Sequence, residues 1–298
     1  MSMKQKTSPR KPKPSWLKRR LPSGPAYGHV RALLEKGHLH TVCQEAQCPN
    51  IWECFSRHTA TFLIMGPCCT RNCRFCAVGH GPSGPPDPDE PMRVAQAAKD
   101  MQLRYVVITS VTRDDLPDGG AGCFAKTLQE IRQRAPKVLT EVLIPDLQGD
   151  VAALEIIVKA RPDVLNHNIE TVPRLYPTVR PDAIYSRSLA LLKQVRTIEP
   201  SLLTKSGLML GLGESPDEIR QSIRNLLDAG CAILTLGQYL QPTREHLPVE
   251  RFVPPEEFDE WREIALKMGF SEVASGPFVR SSYHANAVYQ AAAAQLSE

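Results

Sequence analysis

The stretch TFLIMGPCCTRNCRFC, residues 61–76, decides the fold. Its first five residues, 61–65, form a compact apolar run that predicts a buried strand. Three cysteines follow the run closely, Cys69, Cys73 and Cys76, in the spacing C-x3-C-x2-C. The stretch therefore predicts a strand that delivers three thiols to a single loop.

Downstream of the cysteines the chain passes through GPSGPPDPDEP, residues 81–91, whose five prolines exclude a helix and predict an exposed loop. From there apolar segments alternate with helical patterns, as in the βα units of a parallel sheet. The predicted strands are residues 105–109, 138–144, 164–167, 207–210, 233–236 and, more weakly, 272–275. The predicted helices are residues 94–102, 124–134, 151–160, 188–199, 216–229 and 255–268.

These segments give about six βα units, one or two short of the eight in a closed barrel. We therefore predict an α/β fold, a partial TIM barrel of the (βα)6 type, with a doubly wound sheet as the alternative. The predicted organisation is a basic, solvated arm, a Cys-rich N-terminal extension, the barrel and a C-terminal extension, at residues 1–21, 22–60, 61–276 and 277–298 respectively. Neither of the glycine-rich phosphate-binding patterns, G-x-G-x-x-G and G-x4-G-K-[ST], occurs.

Charge and composition narrow the class of protein. The 298 residues include 36 Lys and Arg against 32 Asp and Glu, but eight of the basic residues lie in the first 20 positions, which contain no acid. The remainder is thus slightly acidic, which disfavours nucleic-acid binding. No apolar run has the ~20 residues of a membrane span, and the N-terminus lacks the apolar core of a secretion signal. We expect a cytoplasmic protein with reduced thiols.

The triplet Cys69, Cys73 and Cys76 is spaced to fill three corners of a 4Fe–4S cube from one loop and to leave the fourth iron open. Zinc is the alternative, but structural zinc usually takes two close cysteine pairs and only Cys73 and Cys76 form one. The pattern also differs from the four-cysteine run of ferredoxin-type carriers. The triplet resembles the signature of the radical S-adenosylmethionine superfamily, in which the open iron binds adenosylmethionine.

A second triplet precedes the first strand: Cys43, Cys48 and Cys54, spaced C-x4-C-x5-C within TVCQEAQCPNIWECF. Buried structural thiols and a zinc knuckle are the alternatives to a second iron–sulfur cluster. With this triplet, the chain from about residue 22 to 287 resembles the lipoyl synthase family. The blocks that carry the resemblance are MGPCCTRNCRFC, VVITSVTRDDLPDGGA, LNHNIETV, KSGLMLGLGE, LGQYLQPT and SGPFVRSSYHA.

The resemblance implies two 4Fe–4S clusters and S-adenosylmethionine as cofactors. The auxiliary cluster is expected on Cys43, Cys48 and Cys54, with a serine of the RSSY motif as its fourth ligand, Ser282 in preference to Ser281. This cluster is expected to give up sulfur, so its ligands count as catalytic. The implied reaction inserts two sulfur atoms, at carbons 6 and 8 of an octanoyl chain on a lysine of a carrier domain.

Polar residues follow several predicted strands, and in a barrel such strand ends surround the active site. They are Thr109, Ser110, Arg113, Asn166, His167, Asn168, Glu170, Gln238, Tyr239 and Gln241. Of the polar residues in and near these ends, we expect Asn168, Glu170 and Arg180 to hold adenosylmethionine. Residues 211–214 are predicted to form a strand-to-helix turn whose backbone amides approach the cofactor.

The expected partners also follow from the resemblance. They are octanoylated lipoyl carrier domains, those of the 2-oxoacid dehydrogenase complexes and the H protein of glycine cleavage, and a reduced ferredoxin or flavodoxin as electron donor. Neither nucleic acid nor a membrane is expected as a partner, and nothing predicts an obligate dimer, so a monomer is expected. Two alternatives stay open: another sulfur-inserting enzyme of the superfamily, similar to biotin synthase, and a two-cluster electron-transfer protein.

Overall fold

The computed structural model of the chain describes residues 12–18, 28, 32–35, 37–45, 48, 50–56 and 59–296. Most of the predicted basic arm, residues 1–21, lies outside the described residues. Within its described part, Ser15–Leu17 forms one 3-10 turn and the side chain of Leu17 is buried. This short segment therefore packs against the protein, although the sequence predicts a wholly solvated arm.

The strands of the described chain form one eight-stranded sheet and one small ladder. They are β1 (His40–Thr41), β2 (Thr59–Ile64), β3 (Cys68–Cys69), β4 (Gly79–His80), β5 (Tyr105–Ser110), β6 (Leu139–Leu143), β7 (Val164–Asn166), β8 (Leu203–Leu210), β9 (Ile233–Gln238) and β10 (Glu272–Gly276). The large sheet has the order β1-β2-β5-β6-β7-β8-β9-β10, and β3 pairs with β4. Every neighbouring pair from β2 to β10 is parallel, whereas β1 is antiparallel to β2.

Helices connect the parallel strands. They are α1 (Val42–Glu45), α2 (Ile51–Ser56), α3 (Glu90–Asp100), α4 (Ala121–Arg134), α5 (Val151–Lys159), α6 (Tyr176–Val179), α7 (Tyr185–Ile198), α8 (Pro216–Asp228), α9 (Pro255–Met268) and α10 (Ala285–Leu296). Six βα units followed by β10 confirm the predicted partial barrel. In the described chain, no helix combines the length and apolarity needed to cross a membrane.

Several predicted boundaries differ from the structure, and two of the differences have a clear physical cause. The helix after the proline-rich loop begins at Glu90, so residues 90 and 91 are helical although the sequence predicts a loop through 91. Proline is accepted there because the first turn of a helix has no N–H partner to lose. Strand β8 begins at Leu203, four residues before the predicted start at 207, because the polar side chains of Lys205 and Ser206 are buried rather than exposed.

Side chains alternate between the two faces of the parallel strands. In β5, Val106 and Ile108 point outward and pack with the helices in the largest apolar cluster. Tyr105 and Val107 point into the barrel, where they contact Ala285 at the start of α10. Both faces of the sheet are therefore covered, which explains why the strands read as continuous apolar runs.

Helix α10 covers the amino-terminal end of the barrel. Its residues Val288 and Ala292 pack against Val164, Leu203 and Ile233, which are inward-facing residues at the starts of β7, β8 and β9. Since the RSSY motif immediately precedes α10, this packing anchors the motif inside the open side of the barrel.

A buried ion pair links four strands across the barrel interior. Lys205 Nζ on β8 lies 3.0 Å from both carboxylate oxygens of Glu141 on β6. The same carboxylate accepts hydrogen bonds from Tyr105 Oη at 2.8 Å and from Asn166 Nδ2 at 2.8 Å. Three side chains make four hydrogen bonds to Glu141, so a fully buried charge is tolerated here.

We predict that Lys205→Met lowers the free energy of unfolding by about 3–5 kcal/mol, because it leaves Glu141 charged and unpaired in the interior. Urea unfolding of the reduced apoprotein measures the effect. The matched control is Lys159→Met, since Lys159 pairs with Glu155 on the exposed face of α5; it should change the free energy by less than about 0.5 kcal/mol. Equal effects of the two substitutions would contradict the prediction.

Candidate active site

The first cysteine triplet lies at the carboxyl end of β2. A left-handed turn at Met65 (φ 67°) and Gly66 (φ 88°) takes the chain out of the strand and into the cysteine loop. The buried carboxylate of Glu90 accepts a hydrogen bond from the Met65 amide at 2.7 Å, and Arg113 donates to the Met65 carbonyl at 3.4 Å. These contacts hold a non-glycine residue in a backbone region that it rarely adopts.

The first part of the cysteine loop, around Cys69 and Thr70, is hydrogen-bonded to the loop that follows β5. The Thr70 amide donates to the Thr112 carbonyl at 3.0 Å, and the Asp114 amide donates to Thr70 Oγ1 at 3.2 Å. The sulfur of Cys69 accepts from the amides of Thr112 at 3.3 Å and Arg71 at 3.5 Å. Cys69 is thus fixed by backbone donors from two loops.

The last part of the cysteine loop, around Arg74 and Cys76, is hydrogen-bonded to later parts of the chain. The Arg74 amide donates to the Val179 carbonyl at 3.0 Å, and the Leu247 amide donates to the Arg74 carbonyl at 3.2 Å. His246 Nε2 lies 2.8 Å from the Cys76 carbonyl, to which it donates. No local pattern in the sequence points to His246, because only the fold brings this distant residue to the loop.

Burial sets the electrostatics of this triplet. It raises the pKa of the Cys76 thiol to about 12 and raises that of Cys73 as well, against the lowering effect of the nearby Arg180. Without a bound cation the thiols of Cys73 and Cys76 stay protonated at neutral pH, and an iron–sulfur cluster would supply the compensating charge. The triplet is therefore suited to a metal cluster and poorly suited to free thiolates.

Asn168, Glu170 and Arg180 lie together beside this loop, as the sequence predicts. Asn168 Nδ2 donates to Glu170 Oε1 at 3.0 Å. Arg180 Nη1 donates to the carbonyls of Asn168 at 2.9 Å and Ile169 at 3.1 Å. Glu170 has a left-handed backbone (φ 64°), and burial raises the pKa of its carboxyl group. A carboxylate and a guanidinium thus lie buried side by side next to the cysteine loop.

Several buried polar atoms in this region have no hydrogen-bond partner within the described chain. They are Asn168 Oδ1, Arg180 Nε and Ser110 Oγ. Unpaired buried polar groups are costly and rare, so they mark a place for a polar ligand. An acceptor, a donor and a hydroxyl fit the ammonium, carboxylate and ribose groups of adenosylmethionine. The residues present therefore fit this cofactor.

The second triplet also comes together in the fold, in the segment that follows β1 and leads into β2. Cys43 lies in α1, Cys54 lies in α2, and the Cys48 amide donates to the Cys43 carbonyl at 3.0 Å. Burial, together with the nearby Cys48 and Cys54, raises the pKa of the Cys43 thiol to about 12. A buried thiol beside two others again fits a cluster whose irons compensate the charge of thiolate ligands.

The C-terminal extension docks on this second triplet. Asn50 Nδ2 donates to the Phe278 carbonyl at 2.6 Å. The Glu53 carboxylate accepts from Tyr283 Oη at 3.1 Å and lies 2.7 Å from His284 Nε2. These bonds join residues more than 200 positions apart and hold the RSSY motif next to the helix that carries Cys54.

The two serines of the motif differ in their surroundings. Ser281 Oγ accepts a hydrogen bond from Asn168 Nδ2 at 2.6 Å. The hydroxyl of Ser282 makes no hydrogen bond to the residues that the structure describes, while its carbonyl accepts from the Ala285 amide. Ser281 is therefore engaged on the side of the first triplet, and Ser282 is the serine whose hydroxyl is available.

Arg280 lies between the two triplets. It interacts electrostatically with Cys48 of the second triplet and with Glu170 beside the first, and burial lowers the pKa of its guanidinium. Its Nη1 donates to the Val279 carbonyl at 2.6 Å. One buried guanidinium thus lies within electrostatic reach of both cysteine sites.

Other polar residues at the strand ends, which the sequence predicts to surround the active site, form hydrogen bonds within the fold itself. Gln238 donates to three backbone carbonyls and accepts from the Val253 amide. His167 bonds to the Ile144 carbonyl and to Ser188, and burial lowers its pKa to about 4. The turn at residues 211–214 follows β8, but its amides at 211 and 212 donate to the Glu214 carboxylate. These amides are therefore occupied by the protein's own carboxylate.

In the described chain, no three His, Cys, Asp or Glu side chains converge closely enough to hold a single metal ion. A four-iron cube is less demanding, because each thiolate binds a different iron and the thiolates are correspondingly farther apart. The zinc alternative gains no support from the arrangement of either triplet.

Comparison with known proteins defines the class. The family model described as the radical SAM superfamily matches residues 63–226. The crystal structure of HydG, a maturase of the [FeFe]-hydrogenase, aligns with a TM-score of 0.54 at 13% identity, covering 88% of this chain and 74% of that one. Methylornithine synthase aligns with a TM-score of 0.52 at 15% identity over 76% and 67% of the two chains. These structures support the partial barrel fold.

The particular family follows from closer relatives. A second family model, the N-terminal domain of lipoyl synthase, matches residues 1–48. Lipoyl synthase of Desulfotalea psychrophila is 60% identical over 94% of both chains, and that of Chlorobium phaeovibrioides is 56% identical over 91% of this chain and 95% of its own. The chain belongs to the lipoyl synthase family, and it is a sulfurtransferase that uses adenosylmethionine and iron–sulfur clusters.

The close approach of the C-terminal segment to β9 yields a prediction. A Cβ at Gly237 would overlap the carbonyl oxygen of Val279, whereas a Cβ at its cross-strand partner Gly276 would meet only a Val279 methyl group at 3.5 Å. Gly237→Ala should therefore displace the RSSY segment and lower the free energy of unfolding by about 1–3 kcal/mol. Gly276→Ala should change it little.

Chemical denaturation measures the stability difference, and iron analysis after anaerobic reconstitution measures the effect on the clusters. We expect Gly237→Ala to bind less iron than Gly276→Ala, because the displaced segment no longer covers the second triplet. Equal stability and equal iron content in the two variants would show that the segment adapts to the added methyl group.

Proposed function

We propose that this protein forms the lipoyl group by inserting sulfur at carbons 6 and 8 of an octanoyl chain, which is amide-linked to a lysine of a lipoyl carrier domain. The observation that carries the proposal is the docking of the RSSY segment on the helix that carries Cys54, while Ser281 of the same segment accepts a hydrogen bond from Asn168 beside the first triplet. Two cysteine sites joined by one short segment suit a reaction that needs both a radical and a source of sulfur.

When bound, adenosylmethionine and its reducing cluster supply the 5′-deoxyadenosyl radical that abstracts hydrogen from an unactivated carbon, and the auxiliary cluster supplies sulfur. In this chain Cys69, Cys73 and Cys76 would hold the reducing cluster. Three thiols from one loop leave the fourth iron without a protein ligand, which is the open position that a catalytic metal site requires.

Asn168, Glu170 and Arg180 would hold adenosylmethionine beside that open iron. Glu170 is suited to accept hydrogen bonds from the ammonium group, since its carboxylate faces the cavity and is held by Asn168. Arg180 Nε is an unpaired donor suited to a carboxylate or a hydroxyl group. The two side chains discriminate between the two ends of an amino acid because their charges are opposite.

Cys43, Cys48, Cys54 and Ser282 would hold the auxiliary cluster. Ser282 is the better candidate for the fourth ligand because Ser281 already accepts a hydrogen bond from Asn168. An oxygen ligand on a cluster that otherwise binds soft sulfur ligands is the bond most easily lost. Its loss would open one corner of the cluster toward the cavity that Arg280 and Glu170 line.

The partners follow from this reaction. The protein substrates would be octanoylated carrier domains, those of the 2-oxoacid dehydrogenase complexes and the glycine cleavage H protein. A reduced ferredoxin or flavodoxin would deliver electrons to the first cluster. A cytoplasmic monomer suits both encounters, since each partner must reach the open end of the barrel.

We predict that the anaerobically reconstituted protein, given dithionite, adenosylmethionine and an octanoyl-lysine peptide, produces 5′-deoxyadenosine and a peptide that has gained two sulfur atoms. Chromatography and mass spectrometry measure the two products. Absence of 5′-deoxyadenosine would refute the radical reaction, and two clusters without it would favour an electron carrier. Formation of 5′-deoxyadenosine without a gain of sulfur would keep the assignment to the radical superfamily but refute the proposed octanoyl substrate.

The two serines give a finer prediction. Ser282→Ala should keep 5′-deoxyadenosine formation but abolish sulfur insertion, because it removes only the auxiliary ligand. Ser281→Ala should keep sulfur insertion and raise the KM for adenosylmethionine about fivefold, since losing the bond to Asn168 costs ~1 kcal/mol. The opposite outcome, with sulfur insertion lost only in Ser281→Ala, would transfer the ligand role to Ser281.

A further inference from the structure

Arg71 lies within the first cysteine motif but is not one of its thiols. Its guanidinium is buried and forms a fork on the loop that follows β5: Nε donates to Asp114 Oδ2 at 2.6 Å and Nη2 donates to Asp114 Oδ1 at 2.9 Å. The same Nη2 also donates to Asp146 Oδ1, at the end of β6, at 2.6 Å. Arg71 thus ties the cysteine loop to the ends of two neighbouring strands.

The fork is part of a closed set of charges. Asp146 also accepts from Arg187 Nη1 at 3.3 Å and from the Gln148 amide at 3.1 Å. Burial is the largest single influence on Asp146 and opposes its ionisation, but the hydrogen bond and charge of Arg71, together with His167 and the Gln148 amide, outweigh it, and the pKa of the carboxyl group is lowered to about 2. Two arginines face two aspartates, so the set carries no net charge that would act on a cluster from a distance.

The fork does act on the contacts of Cys69. Thr112, whose amide donates to the Cys69 sulfur at 3.3 Å, lies two residues before Asp114. Arg71 itself donates its amide to the same sulfur at 3.5 Å. Because the guanidinium clamps Arg71 to Asp114, it fixes both amides relative to the sulfur. Hydrogen bonds to ligating sulfur stabilise the reduced, more negative form of an iron–sulfur cluster and raise its reduction potential.

We propose that Arg71 is a positioning residue: its fork to Asp114 and Asp146 holds two backbone amides on the Cys69 sulfur and so sets the reduction potential of the cluster on Cys69, Cys73 and Cys76. The inference rests on the proposed function in one respect, the placing of that cluster on these three cysteines. It adds a role for a residue that binds neither iron nor substrate.

The test uses two variants that break the same fork and change the local charge in opposite senses. Arg71→Gln removes a positive charge, and Asp114→Asn removes a negative charge. If positioning controls the potential, both variants lose the amide contacts to Cys69, and both shift the potential to more negative values. If charge alone controls it, Asp114→Asn shifts the potential to more positive values instead.

The measurement is a reductive titration of the reconstituted full-length protein, followed by electron paramagnetic resonance. The cluster of interest is the one whose signal changes when adenosylmethionine is added. The matched controls are Arg251→Gln and Glu257→Gln, which break an exposed Arg–Glu fork on a part of the chain without cysteines. They should leave the potential unchanged.

Iron analysis and thermal unfolding keep the outcomes distinct. Selective loss of the adenosylmethionine-sensitive cluster, with the auxiliary cluster retained, also supports the proposal, because it is the most severe effect of losing the amide contacts to Cys69. Opposite shifts in the two variants, unchanged potentials, or loss of both clusters together would overturn it. A separate variant tests whether the cluster lies on Cys69, Cys73 and Cys76 at all. If it does not, Cys69→Ala keeps the adenosylmethionine-sensitive signal, whatever happens in the fork variants.

Discussion

The hydrogen bonds from Tyr283 and His284 to Glu53 are the contacts on which the second site depends. They bring the extension before the barrel and the extension after it to the same place, so that three cysteines and a serine from opposite ends of the chain can share one cluster. Closing so long a loop is entropically costly. The docking of α10 inside the barrel offsets that cost, because the apolar burial of Val288 and Ala292 fixes where the RSSY segment begins.

The incomplete barrel makes this arrangement possible. In a closed eight-stranded barrel the interior is filled by side chains from the strands. Here the sheet has seven parallel strands, and α10 packs against inward-facing residues at the starts of β7, β8 and β9. Two glycines on the strands leave space for neighbouring groups. A Cβ at Gly207 would lie too close to Asn168 Oδ1, and a Cβ at Gly237 would overlap the Val279 carbonyl. Small residues on β8 and β9 therefore provide the room in which the two sites meet.

Local patterns in the sequence predict much of this architecture, and they fail where contacts are distant. The alternation of apolar strands and helical segments yields all seven parallel strands, and the spacing of the cysteines yields both triplets. The polar residues predicted at the strand ends include Asn168 and Glu170, which lie beside the first cysteine loop, but they also include Gln238 and His167, whose side chains are hydrogen-bonded within the fold. Nothing in the sequence near Arg71, Glu53 or His246 signals their contacts, because each partner lies more than 40 residues away. Likewise, the charge of Lys205 argues against a strand start at 203 until Glu141 is known to lie opposite.

The proposed assignments place neighbouring residues in two different sites. Ser281 bonds to Asn168, which also orients Glu170 for adenosylmethionine, while Ser282 would bind the auxiliary cluster. One peptide unit separates the two hydroxyl groups, so neither serine can move far without displacing the other. Release of Ser282 from the cluster would therefore pull on the hydrogen bond between Ser281 and Asn168, and a ligand that tightens Asn168 would hold Ser282 in place. The same short segment can thus link the state of the sulfur source to the occupancy of the cofactor site, through covalent connection alone.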